Sequence, residues 1–164
     1  MPKNTSLPTP PAAAAPPRII NGRFGPVAVT PDTAVALPNG LLGFGNHQGF
    51  ALGEIDDPRY AQFRVLQSLD DDDLAFLVLP LDPDAGLIDR DDLAQACAHL
   101  VIDRAHAAIL LIATIRKAGG VAQASINLRA PLFIDTRRGF GVQYVLPNEA
   151  YPIRYILARS PAAP

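Results

Sequence analysis

The chain has 164 residues, room for one ordinary domain around a single core. Apolar residues make up 49% and charged residues 18%, which excludes a disordered polymer for its central stretch, and the lone Cys97 excludes an internal disulfide and a cysteine-rich zinc site. A formal net charge of -2 hides a split, because residues 54–92 hold 12 acidic against 3 basic side chains (net -9) and residues 101–164 hold 3 against 8 (net +5). The acidic part is poorly suited to nucleic acid, whose phosphates are met by Lys and Arg.

Ala12 to Ala15 is too short for the apolar region of a signal peptide, and the longest strongly apolar run, 105–115, is far below the roughly 20 residues of a membrane span. With a single unpaired cysteine, a reducing cytoplasmic location is expected. Residues 1–17 contain six prolines and almost no bulky apolar side chain, the composition of an extended, solvated tail. That tail is either a spacer or a Pro-rich ligand for a groove-binding domain. A short flexible tail is expected at 159–164, which leaves 18–158 as the folded domain.

Between the tails, short apolar runs alternate with Gly, Pro and Asp clusters, the pattern of many strands joined by turns. A mainly β class follows. Strands are expected at 18–21, 27–29, 34–37, 49–54, 63–68, 74–79, 107–115, 121–128, 132–135 and 141–146. The runs 74–79 and 107–115 are continuously apolar and should be covered on both faces. Residues 121–128 alternate instead, with Ala122, Ala124, Ile126 and Leu128 on one face and Gln123, Ser125 and Asn127 on the other. Gly119-Gly120 makes the hairpin that joins this strand to its predecessor. One short helix is expected over about 89–100, with Asp89 as its cap and Leu93, Ala96, Cys97 and Leu100 at helical spacing, so that Cys97 faces the core.

Motifs that carry catalysis are missing. Asp70, Asp71, Asp72 and Asp73 invite a hard-cation reading, and a metal-assisted hydrolase built on them is one alternative function. Their adjacency argues against it, since cation loops draw ligands from alternating positions around a glycine; a solvated turn facing a partner fits better. His47, His99 and His106 lack metal-ligand spacing, and Ser68 has no glycines around it to make a nucleophile elbow. The glycines of Leu37-Pro38-Asn39-Gly40-Leu41-Leu42-Gly43-Phe44 lack the following helix of a phosphate loop. Tight turns that bring Leu41, Leu42 and Phe44 onto the core are the expectation there. A β-barrel nucleic-acid module using Arg116, Lys117, Arg129, Arg137 and Arg138 is the other alternative.

Across roughly residues 19–157, these segments resemble the FliW family of flagellar assembly factors in order and spacing. Arg23-Phe24-Gly25 comes first. Residues 37–44 are then similar to the family's Pro-x-Gly-Ile-x-Gly-Phe, Leu66-Gln67-Ser68-Leu69-Asp70-Asp71 to Leu-Gln-Ser-x-Asp-Asp, and Leu74-Ala75-Phe76 to Leu-Ala-Phe. Ile126-Asn127-Leu128-Arg129-Ala130-Pro131 resembles Asn-Leu-x-Ala-Pro, and Tyr151-Pro152-Ile153-Arg154 the closing Tyr-Pro-Ile-Arg. Val65, Asp72 and Leu81 depart from the pattern and bear on the details of residues 63–83. The resemblance implies a compact antiparallel β-barrel-like single domain. It also implies a partner-switching role, in which the protein binds the translational repressor CsrA, relieves its block on flagellin synthesis, and is bound competitively by flagellin. No enzyme activity, cofactor, metal, nucleic acid or membrane is implied. The residues expected to meet partners are Gln67, Asp70, Asp71, Asp72, Asp73 and Asn127.

Overall fold

The computed structural model describes residues 16–161, so most of the expected N-terminal tail and the last three residues lie outside the described residues. Eleven strands and one α-helix occur in them. In chain order these are β1 (Arg18–Gly22), β2 (Gly25–Val29), β3 (Ala34–Ala36), β4 (Gly49–Glu54), β5 (Arg64–Ser68), β6 (Ala75–Pro80), α1 (Arg90–Leu100), β7 (Ala107–Ala118), β8 (Val121–Ile126), β9 (Leu132–Asp135), β10 (Phe140–Gln143) and β11 (Tyr155–Pro161).

β3 to β7 and then β9 and β10 pair in a ring, closed where β10 meets β3 through the parallel bridge Phe140↔Ala36. Every other pairing in the sheet is antiparallel. β7 is long enough to serve two neighbours on one edge: residues 107–110 pair with β9, and residues 113–118 pair with β8. β8 and β9 are thus one strand path interrupted by a loop at 127–131. Past that loop, β7, β8 and β11 leave the ring as a three-stranded wing. Gly119 (φ 59°) and Gly120 (φ 74°) close the β7–β8 hairpin in a backbone conformation that costs other residues energy.

Three apolar clusters explain why the central strands lack polar alternation. Inside the ring lie Val35, Leu37, Leu41, Phe50, Leu66, Val78, Leu110, Leu132 and Ile134. The alternate residues Leu77, Ile109, Leu111 and Phe133 point outward against Leu93, Ala96 and Cys97 of α1. On another outer face the β1–β2 hairpin lays Val27 over Ala51, Val65 and Ala75. β6 and β7 are therefore covered on both sides, as their continuous apolar runs require. Each fully buried Leu or Phe contributes about 1.5–3 kcal/mol. Cys97 is buried, and burial pushes its thiol pKa up.

Asp89 caps α1 as expected, its carboxylate accepting from Asp91 N at 2.8 Å. The far end is unusual: Val101, a β-branched residue, takes the left-handed cap conformation at φ 57°. Three strand expectations differ most from the structure, and 141–146 is one of them, since β10 ends at Gln143. β8 stops at Ile126, because the Asn127 side chain folds the next residues into the loop. β11, not expected, continues to Pro161, three residues past the boundary placed at 158. Its register with β8 shifts between Ile156 and Ala158, and this bulge breaks the two-residue period that betrays a strand in sequence.

Candidate partner-binding surface

Strand directions place the β3–β4 loop, the β5–β6 turn and the start of the β8–β9 loop on one rim of the barrel, from which the wing projects. The β5–β6 turn is organised from below by two fully buried polar side chains. Ser68 Oγ accepts from the amides of Asp70 and Asp71, both at 3.2 Å, and lies 3.5 Å from His47 Nδ1. Gln67 Nε2 lies 3.2–3.3 Å from the carbonyl oxygens of Ser68, Asp71, Asp72 and Leu74. Its Oε1 is buried without a hydrogen-bond partner. Asp71 also accepts from Asp73 N at 2.9 Å through its own Oδ1. All four aspartates of the turn are exposed.

Gln67 therefore offers no surface to a partner; it holds the shape of the turn that presents the aspartates. Among the described residues, no group of three or more His, Cys, Asp or Glu side chains converges as a metal site would require.

Asn127 lies on a separate feature, reached across β6 and β7 in the strand order. Half-buried, it accepts from Arg129 N at 2.9 Å and Ala130 N at 3.0 Å through Oδ1. It shapes the 127–131 loop from within, and a direct contact through the same amide oxygen would compete with those bonds. Tyr144 N donates to Pro131 O, Leu146 N to Arg129 O, and Leu128 N to Pro152 O, so that the loop is gripped by the segments on either side of residue 145 and by the one preceding residue 153. Gln143 links it to the β3–β4 loop by donating to Ala130 O at 3.2 Å and accepting from Leu42 N at 2.8 Å.

Around this loop stand apolar side chains that the core does not use: Leu42 is 60% exposed, Val145 47% and Ile153 67%. Sequence reasoning placed Leu42 on the core together with Leu41 and Phe44. Only Leu41 is buried; Phe44 is 38% exposed and its ring meets Phe76 edge-on at 5.1 Å. The tight turn itself is as expected, with Gly40 and Gly43 at positive φ. That turn sends neighbouring leucines in opposite directions, which composition does not reveal. A clue lay in the spacing, since Leu42 and Ile153 both sit inside quoted motifs.

The basic residues of the nucleic-acid alternative are scattered. Arg116 and Lys117 lie on the wing, Arg137 and Arg138 in the β9–β10 turn at the opposite end of the barrel. Arg137 pairs with Asp103 at 3.2 Å, and Arg129 is half-buried with Nε donating to Leu146 O. They form no common stripe.

The model of the FliW protein family matches residues 18–157. The chain belongs to the FliW family. Flagellar assembly factor FliW of Caldicellulosiruptor bescii is 28% identical over 137 residues, covering 82% of this chain and 86% of that protein. The Desulfitobacterium hafniense factor of the same name is 27% identical over 143 residues, covering 85% and 90%, and the Leptospira interrogans one 27% over 141 residues, covering 85% and 91%. A crystal structure of the flagellar assembly factor FliW superposes with a TM-score of 0.65 at 24% identity, covering 85% of this chain and 96% of that one, a likeness of fold. The FliW resemblance read from the motifs and the mainly β, barrel-like architecture are both borne out. Among the described residues no helix is long and apolar enough to cross a membrane.

Proposed function

We propose that the protein is a flagellar assembly factor that works by binding other proteins: it takes up a CsrA-type translational regulator, relieving repression of flagellin synthesis, and flagellin competes for it. The observation that carries this reading is the trio of exposed apolar side chains, Leu42, Val145 and Ile153, set around the hydrogen-bonded 127–131 loop. Exposed aliphatics fixed on a rigid rim are what a protein interface uses as anchors. The acidic turn at Asp70, Asp71, Asp72 and Asp73 complements a basic, RNA-binding partner and should hasten its approach. Switching then follows from two binding equilibria that share one protein, its direction set by affinities and concentrations. No catalytic residue or cofactor enters this reading, and the site of action is the cytoplasm, where both partners are made.

The test is titration calorimetry of the full chain with CsrA and with flagellin from the same bacterium, repeated on a Leu42→Asp/Ile153→Asp double variant. Binding of both partners by the parent, mutual competition, and at least tenfold weaker binding by the variant at unchanged melting temperature are expected. Failure of the parent to bind either partner overturns the proposal.

A further inference from the structure

β7 outruns its neighbour β6. The two pair only from Leu77↔Ala113 to Pro80↔Leu110, whereas β8 follows the other edge of β7 out to Ala118↔Val121. Ile109 O accepts from Leu81 N on the β6 side and Ile112 O from Asn127 N on the β8 side, so odd-numbered residues of β7 direct their N–H and C=O toward β6. Beyond Ala113 these are Ile115 and Lys117, and among the described residues no strand pairs with that edge. There β6 and β7 diverge around a cleft of about 480 Å³ lined by Phe24, Tyr60, Phe76, Leu77, Ile112 and Ile115.

The cleft is lined mainly by apolar side chains and flanked by basic ones, while the adjoining hollow past Phe24 and Tyr60 holds Glu54, Asp56 and Asp57. Arg23 lines it, and the exposed Arg116 and Lys117 stand on the free edge. None of the three enters an ion pair among the described residues. An open edge beside apolar pockets is the arrangement by which a sheet takes up an extended peptide, backbone bonds supplying affinity and alternate side chains specificity.

We propose that this edge accepts an extended segment of a partner protein in which apolar and acidic residues alternate, added to β7 as a further strand. Two-residue periodicity sends its apolar side chains to the face of Ile115, Phe24 and Tyr60 and its carboxylates to the face of Thr114 and Arg116. The chain's own tails lack this chemistry: residues 1–17 have six prolines and no acidic residue, and residues 162–164 have none either. The edge shares no named residue with the Leu42, Val145 and Ile153 surface, so the two proposals fail independently.

The probe is a fluorescein-labelled Val-Glu-Val-Glu-Val-Glu-Val peptide, with its Lys-for-Glu counterpart as control, titrated into the full chain by anisotropy while amide hydrogen exchange is followed. Saturable binding of the acidic peptide, slowed exchange at Ile115 and Lys117, and little binding of the basic one are expected. Lys117→Pro removes a free-edge N–H and none of the β8 bonds; it should weaken binding at least tenfold, against less than threefold for Lys117→Ala. Arg116→Glu should also weaken it, and this variant decides the matter if Lys117→Pro fails to fold. Absence of saturable binding, equal binding of both peptides, or protection elsewhere overturns the proposal. So does a uridine oligomer that displaces the peptide, or edge protection that grows with protein concentration alone, the mark of a second copy.

Discussion

The side-chain oxygen of Gln67 occupies the place where a β-carbon on residue 22 would stand, so Gly22 and Gln67 are fitted to each other. The β1–β2 hairpin lies closely over β5 only because residue 22 has no side chain, and the buried amide beneath it holds the acidic turn.

Gly22→Ala should therefore destabilise the protein by about 1–3 kcal/mol, the usual cost of overpacking a filled site. Because relief of the overlap requires the Gln67 amide to move, amide exchange at residues 71–74 should rise along with the loss of stability. Denaturant unfolding and exchange mass spectrometry read the two effects. A stable variant with an unchanged turn would show that the hairpin simply lifts away.

Val101→Gly should stabilise the protein by about 1 kcal/mol, because a β-branched residue at φ 57° carries backbone strain that glycine lacks. At 77% exposure the valine side chain has little burial to lose. A rise of a few degrees in melting temperature is the expected readout.

Asn127→Ala should cost about 1–2 kcal/mol, because the amides of Arg129 and Ala130 lose their acceptor. Any loss of partner affinity should follow from a displaced 127–131 loop. Asn127→Asp keeps the acceptor oxygen and should recover most of both effects. Normal stability of the alanine variant with lost affinity would instead make Asn127 a contact.

Changing Asp71, Asp72 and Asp73 together to Asn should slow association with a basic partner such as CsrA and flatten its salt dependence, leaving the fold intact. Gln67 grips backbone carbonyls, and an asparagine at 71 can still accept from residue 73. Replacement of Arg137 and Arg138, at the other end of the barrel, should change neither quantity. Stopped-flow kinetics at several salt concentrations can make the comparison; a wild-type rate and salt slope for the triple variant would place the steering surface elsewhere.

Burial raises the Cys97 pKa in the folded chain, so folding favours the neutral thiol. Its contribution to stability is complete below the unfolded value, about 8.5, and is lost as pH rises through the higher folded value. Aromatic disulfide reagents at pH 8 should therefore react with Cys97 only as fast as the protein opens. Rapid labelling of the native protein would contradict the buried position.

The order of short apolar runs and turn residues was enough to indicate a mainly β chain with one capped helix, because those signals are local: strand period, glycine freedom, Asp89 before Leu93. The uninterrupted apolar runs of β6 and β7 likewise announced burial on two faces. The tertiary structure alone decided the closure of the ring, which depends on one parallel bridge between Phe140 and Ala36. It also decided which side chains face outward at the rim. Gln67 is among the residues expected to meet partners, yet it is sealed beneath the hairpin, because the backbone carbonyls of the β5–β6 turn gather around its amide nitrogen. Leu42 was read as core, yet it is exposed, because a turn with glycines at positive φ rotates successive side chains to opposite sides. Neither outcome is written in residue type; both depend on what the chain, once folded, brings alongside.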